Sequence, residues 1–238
     1  MIELMTELDY GAFEALTFDC YGTLIDWETG LLAGLREGLD GAAAEATDEG
    51  LLERYAAIEA RLEAGPYLPY RQILERGLVG VARAWDALPA PARIEAFGGS
   101  VADWPAFPDS AAALARLKTR FRLGVLTNCD DDLFAASNQR LGVEFDWIVT
   151  AQQARGYKPR RANFELLFER LGYPRNRILH VAQSLFHDHV PAKALGLSTV
   201  WIDRRHDRPG FGATPPAEAA PDAKFADMSS FAEAAVGP

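Results

Sequence analysis

The 238-residue sequence predicts an α/β protein, a doubly wound parallel sheet interrupted by a helical insertion. Three observations carry that prediction. Short runs of β-forming residues that end on polar positions alternate with helical segments, which implies right-handed parallel crossovers. The stretch from about residue 31 to 97 breaks this rhythm, being rich in Ala, Leu, Glu and Arg with apolar residues at helical spacing. Apolar residues make up 49% of the chain and charged residues 24%, the balance of a globular protein with a substantial core.

The first strand is the apolar run Ala15-Leu-Thr-Phe18, which delivers Asp19 and breaks at Gly22, as a buried parallel strand does on reaching its loop. A carboxylate at that end sits where open α/β sheets bind ligands, so Asp19 is the candidate nucleophile. The alternative is a strand-end Asp that accepts backbone N–H bonds from its own turn. In the insertion, Leu51, Leu52, Tyr55, Ile58 and Leu62 mark an amphipathic helix with Thr47 as its cap, closed by Gly65-Pro66. Pro69-Tyr70-Arg71 opens the next helix, and Pro89 and Pro91 mark a further boundary. Three or four helices are therefore expected over residues 29–101, a cap set between core segments 1–28 and 102–238.

The α/β rhythm resumes at Trp104–Asp109, where Asp109 is expected to cap a helix from Ser110 to Thr119. Phe121–Leu126 reads as a strand ending at Thr127-Asn128, followed by a helix over Leu133–Leu141 and a strand at Trp147–Val149. Helix Asn163–Leu171, strand Ile178–Val181, helix Val190–Leu195 and strand Thr199–Ile202 continue the alternation. The Gly- and Pro-rich stretch from Arg205 to Pro221 reads as a surface loop, and Ser229–Val236 as a closing helix.

A formal charge of −10 and a pI near 4.9 argue against nucleic acid or an anionic membrane as partner, since few cations are available to displace counterions. Arg204-Arg205-His206 is too short a basic run to reverse this. The expected partner is a small molecule, and a homodimer remains open. Cys20 and Cys129 make no disulfide framework, and Cys20 should face away from Asp19 on its strand. The start, Met1–Asp9, is acidic and lacks a secretion signal's basic and apolar regions, and no apolar run approaches a membrane span. A cytoplasmic location is expected.

Four strings follow one another at the strand tips: Asp19-x-Tyr21-Gly22-Thr23-Leu24, Leu126-Thr127-Asn128, Gly156-Tyr157-Lys158-Pro159 and Val181-Ala-Gln183-Ser184-Leu-Phe-His-Asp188. Taken alone, Thr127 and Asn128 are common turn formers and Lys158 is an ordinary loop lysine. An ammonium close to Asp19 would instead hold that carboxylate ionised and attract an acid. In order and content the four strings resemble the motifs of the haloacid dehalogenase superfamily, over nearly the whole chain. That resemblance implies a Rossmann-like core. Superfamily phosphatases place magnesium-binding and proton-donating acids where this chain has Gln183 and Tyr21, so the chain resembles the metal-free branch, the L-2-haloacid dehalogenases.

The resemblance implies that Asp19 displaces a halide from the α-carbon of a small carboxylic acid, forming an ester that water cleaves at the acyl carbon. Thr23 would position Asp19, Lys158 would hold it ionised, and Asp188 would orient or deprotonate the water. Thr127 and the backbone N–H groups after Asp19 would hold the substrate carboxylate, with Tyr21, Asn128, Gln183 and Ser184 around it. No metal and no cofactor are expected. Three departures stand out: Gln183 and Leu185 replace Ser and Asn, Phe164 replaces a pocket tyrosine, and the halide-gripping arginine has only Arg54, Arg61 and Arg71 as candidates.

The strings Phe18–Gly30, Trp104–Asp109, Arg204-Arg-His206 and Gly212-Ala-Thr214 also resemble the azetidine-2-carboxylate hydrolase of that branch, in which a ring amine would leave. The rivals are a magnesium-dependent phosphatase and an idle member that binds a small acid or a partner protein. His187 and His189, one residue apart, cannot face one point on a helix, so a metal site is not expected there, although His187 is placed to assist catalysis or bind substrate. Trp27, Tyr67 and Tyr70 are candidates to line a pocket between cap and core.

Overall fold

The computed structural model describes residues 8–208 and 212–237. The acidic start through residue 7, residues 209–211 of the Gly- and Pro-rich stretch, and Pro238 lie outside the described residues. Six parallel strands form one sheet in the order β3-β2-β1-β4-β5-β6. They are β1 (Ala15–Phe18), β2 (Arg122–Thr127), β3 (Trp147–Thr150), β4 (Ile178–Ala182), β5 (Ser198–Ile202) and β6 (Ala223–Phe225). Every residue of β1 and β4 is buried, which is why both read as apolar runs broken only by Thr17 and His180. Strand order reverses about β1, so Asp19 emerges at the topological switch point, where such sheets open a crevice.

Four helices separate β1 from β2: α1 (Trp27–Leu39), α2 (Asp48–Ala64), α3 (Tyr70–Ala82) and α4 (Pro91–Gly99). The first begins where Asp26 caps it, before the sequence composition shifts. Gly30 lets α1 lie directly on Trp104, because a β-carbon there would stand 2.2 Å from the indole. Thr47 caps α2 as its sequence predicts, accepting from Gly50 N at 3.2 Å. Helix α3 follows Pro69 and has no side-chain cap of its own. Its first amides, Tyr70 N and Arg71 N, instead donate to the Asp130 carboxylate at 2.9 and 3.0 Å, which ties the insertion to the tip of β2. Tyr157 Oη adds a bond to Leu68 O at 2.7 Å.

The remaining helices are α5 (Ser110–Lys118), α6 (Asp131–Leu141), α7 (Ala151–Ala154), α8 (Arg161–Leu171), α9 (Val190–Ala194) and α10 (Met228–Val236). Asp109 does not cap α5. Its carboxylate accepts from Met228 N (2.7 Å) and Ser229 N (3.2 Å) at the start of α10 and pairs with Arg204 (3.0 Å), so tertiary partners override the local preference. The stretch after Arg204 is likewise not a free surface loop. Buried Arg205 pairs with Glu28 (2.5 Å) and Glu49 (2.9 Å), while the amides of Ala213 and Gly212 donate to the same two carboxylates, both at 3.1 Å. Strand β6 escapes the sequence pattern because it is three half-exposed or exposed residues at the sheet edge. No helix among the described residues is long and apolar enough to cross a membrane.

Candidate active site

The carboxyl ends of β1, β2 and β4 and the turn after α7 bring three charged side chains into contact. Lys158, 2% exposed, donates through Nζ to Asp19 Oδ1 (2.8 Å), Asp188 Oδ1 (2.7 Å) and Leu126 O (3.0 Å), so all three of its protons are engaged. Thr23, four residues past Asp19, donates to Asp19 Oδ2 at 2.6 Å and accepts from Gln183 N at 2.9 Å. Gly22 adopts φ +92° in that turn, a conformation side chains resist. The amides of Gly22, Thr23 and Leu24 are spent closing the turn on Ile25 O and Cys20 O. Those of Cys20 and Tyr21 close none of these turns.

Asp188 reaches Lys158 because Leu185–His189 forms a π-helical turn, capped by Ser184, between β4 and α9. Its Oδ1 also contacts His180 Nε2 (2.9 Å), whose Nδ1 lies 2.9 Å from Thr17 Oγ1. Its Oδ2 is fully buried and has no hydrogen-bond partner among the described residues. Burial disfavours a charged Asp188, but Lys158 and His180 outweigh it and hold the carboxyl below the ordinary range. Asp19 is pushed the other way, above its ordinary value, by burial, against the pull of Lys158 and with added repulsion from Asp188. One ammonium thus serves two carboxylates of unequal acidity.

Around this cluster is a cavity of about 40 Å³, room for a few water molecules. Its walls include Asp19, Tyr21, Asn128, Lys158, Gln183, Ser184 and Asp188, eight of the nine sequence candidates lying in or beside it once Thr23's bond to Asp19 is included. Asn128 is locked to the Lys158 backbone by a reciprocal pair of bonds at 2.7 and 3.2 Å. The Tyr21 hydroxyl meets Ser137 at 3.0 Å. Thr127 is the exception: it is fully buried, its hydroxyl has no hydrogen-bond partner among the described residues, and it is not part of the wall.

His187 joins the wall, with Nδ1 3.1 Å from Ser184 Oγ, and burial pushes it down to about 4, so it is neutral. His189 turns to Ala182 O at 2.9 Å and leaves the cavity. Trp27 and Tyr70 line the cavity, whereas Tyr67 stacks on Tyr157. Phe164 packs edge-on to His180.

None of the three arginine candidates lines the cavity. Arg54 and Arg61 line a groove on the other face of α2, between α2, α3 and α4, and Arg71 pairs with Asp132 at 2.9 Å. The insertion contributes Glu59 and Glu63 instead. The Tyr55 and Tyr70 hydroxyls donate to Glu59 Oε1 at 3.1 and 3.0 Å. Sequence reasoning missed both glutamates, although their signal was present: they extend the stripe Leu52-Tyr55-Ala56 at helical spacing onto the buried face of α2. His180 was missed too, a polar residue inside an apolar strand and in register with Thr17 across β1 and β4. Among the described residues, no group of three or more His, Cys, Asp or Glu is placed to hold a metal ion.

Comparison with known proteins adds a family. The haloacid dehalogenase-like hydrolase family matches residues 13–194. (S)-2-haloacid dehalogenase 4A of Burkholderia cepacia is 25% identical over 86% of this chain and 89% of its own length. The fold is also that of the L-2-haloacid dehalogenase of Xanthobacter autotrophicus with chloropropionic acid covalently bound, with TM-score 0.75, 19% identity, and 93% of this chain and 97% of that one covered. The magnesium-bound putative hydrolase YfnB of Bacillus subtilis shares it as well, with TM-score 0.76, 16% identity, and 94% and 98% coverage.

Proposed function

The chain belongs to the haloacid dehalogenase-like hydrolases, and on that footing we propose that it displaces the α-substituent of a compact 2-substituted carboxylic acid through an ester on Asp19, without a metal ion. The observation that carries this reading is the ammonium of Lys158 lodged between Asp19 and Asp188. Lys158 already supplies positive charge between those carboxylates, and the flanking Tyr21 and Gln183 offer only neutral oxygens, a poor donor set for magnesium. The phosphatase reading loses support on that donor set.

In the first step an Asp19 carboxylate oxygen attacks the α-carbon, and the leaving group departs with the bonding electron pair. Thr23 and Lys158 fix the carboxylate's direction of approach. The substrate carboxylate is assigned to the amides of Cys20 and Tyr21, which close none of the turns after Asp19. In the second step water attacks the acyl carbon of Asp19 and gives its proton to Asp188, whose Oδ2 is unbonded and whose Oδ1 is held by Lys158 and His180. The products are a 2-hydroxy acid and regenerated Asp19. Helices α1–α4 act as a cap that keeps bulk water out while the ester exists. Halide is the substituent that the relatives' names suggest, and a ring amine is the other group the same attack can displace.

The test is one turnover, with enzyme in excess, in oxygen-18 water. The hydroxy acid should carry no label and Asp19 should gain it. Label in the product's new hydroxyl would mean that water attacks the substrate directly, and a chain that binds the acid without turnover would fit the idle reading.

A further inference from the structure

We propose that His180 is a positioning residue for the second half of the reaction, supported by Thr17: together they hold Asp188 so that its Oδ2 is the oxygen that takes the proton of the hydrolytic water. This rests on the Asp19 displacement chemistry above. His180 lies in the middle of β4, a fully buried polar side chain among apolar neighbours, with Phe164 edge-on to its ring at 5.6 Å between centroids. An apolar residue would fill that place without burying two ring nitrogens, so the presence of His180 there is explained by what those nitrogens contact.

Nε2 stands 2.9 Å from Asp188 Oδ1, and Nδ1 stands 2.9 Å from Thr17 Oγ1. Thr17 is in register with His180 across β1 and β4 and comes two positions before Asp19, the spacing that puts both on one face of a strand. Beneath the reacting carboxylates there thus runs a chain of hydroxyl, imidazole and carboxylate. It has the connectivity of a nucleophilic triad, but its hydroxyl is fully buried and is not in the wall of the cavity that contains Asp19. The support therefore runs the other way, from Thr17 through the ring to Asp188.

An ionised Asp188 can only accept, so the bond from His180 is an Nε2–H donation. Thr17 occupies the other nitrogen, and a ring turned over would forfeit both bonds. Oδ1 then has two donors, Lys158 Nζ at 2.7 Å and His180 Nε2, while Oδ2 has no hydrogen-bond partner among the described residues. The two donors differ in one respect. Lys158 also holds Asp19, whose charge disappears when the ester forms, whereas His180 bonds no second carboxylate among the described residues. His180 is the partner of Asp188 that stays the same through both steps.

In the second step the water oxygen joins the acyl carbon of Asp19 and its proton goes to Asp188 Oδ2. The tetrahedral adduct then expels the oxygen of the hydroxy acid, which takes that proton, and Asp19 is left as a free acid that ionises against Lys158. His180 neither gains nor loses a proton. In the first step Asp188 takes no proton, so loss of His180 acts on ester hydrolysis and spares ester formation.

The experiment is a rapid-quench single turnover with (S)-2-chloropropionate and with azetidine-2-carboxylate, following the Asp19 ester by the mass of its peptide in the wild type, His180→Phe and His180→Gln. Phe keeps a ring and loses both nitrogens, whereas Gln can place an amide N–H where Nε2 stands. His180→Phe should form the ester at the wild-type rate and hydrolyse it at least about ten-fold more slowly, because a positioned base contributes on the order of 100-fold or more. His180→Gln should recover most of the lost hydrolysis rate. Equal slowing of both steps, or hydrolysis at the wild-type rate in His180→Phe, overturns the proposal and leaves the displacement reading standing. No ester from either compound in the wild type overturns that reading and this inference with it. Should His180→Phe fail to fold, Thr17→Val, which keeps the side chain's shape and removes the hydroxyl, decides by the same two rates.

Discussion

Replacing Glu59 by Gln should make the protein's stability less sensitive to pH above neutrality. In the folded chain, burial lifts the Glu59 carboxyl from 4.5 to about 7, and the two tyrosine hydroxyls offset only part of that. The folded state therefore holds this proton more tightly than the unfolded chain does. The associated stability is fully present below about pH 4.5 and is lost as pH rises through about 7. At about 1.4 kcal/mol per pH unit, the span corresponds to about 3 kcal/mol. Gln keeps an oxygen for Tyr55 and Tyr70 but has no proton to lose. Urea unfolding of both proteins at pH 5 and pH 8.5 should show the wild type losing stability relative to Glu59→Gln on going to the higher pH. The value of about 3 kcal/mol is an upper bound, because Glu59 helps to raise Glu63, and that carboxyl titrates more readily once Glu59 is gone. A stability difference independent of pH would refute the claim that Glu59 is a buried, displaced acid.

Two further outcomes follow from the shared lysine. Lys158→Met leaves Asp19 and Asp188 buried together without a counter-charge, so it should abolish turnover and cost about 3–5 kcal/mol at pH 7. The cost should shrink as acid protonates the pair, as urea unfolding at pH 7 and pH 5 would show. Because Asp19 must be ionised to attack and its pKa is raised from 3.8, the acid limb of kcat/KM should lie above 3.8; a limb at or below that value would contradict the burial argument.

What the sequence made legible is what local chemistry writes into it. Asp19 and Lys158 stood out because an apolar strand breaking on Gly22 and a lysine locked by Pro159 leave marks within a few residues. Asp188 was found by its string, but the π-helical turn that aims it was not, since a bond from residue i to i+5 has no composition of its own. Asp109 looked like a cap for α5, and only Arg204 and the first amides of α10, about a hundred residues away, explain why it is not. The stretch after Arg204 had the composition of a surface loop. Its partners Glu28 and Glu49 lie more than 150 residues earlier in the chain, beyond any local pattern. In the cap, the resemblance implies an arginine, whereas the buried stripe of α2 carries Glu59 and Glu63.

The most direct test of the central claim is the mass of the Asp19 peptide from Asp188→Asn, after incubation with azetidine-2-carboxylate or (S)-2-chloropropionate. With the nucleophile intact and the water's base removed, that peptide should gain the mass of the esterified acid and keep it. An unmodified Asp19 peptide from both reactions, while the wild-type enzyme turns over the same compounds, would contradict the account.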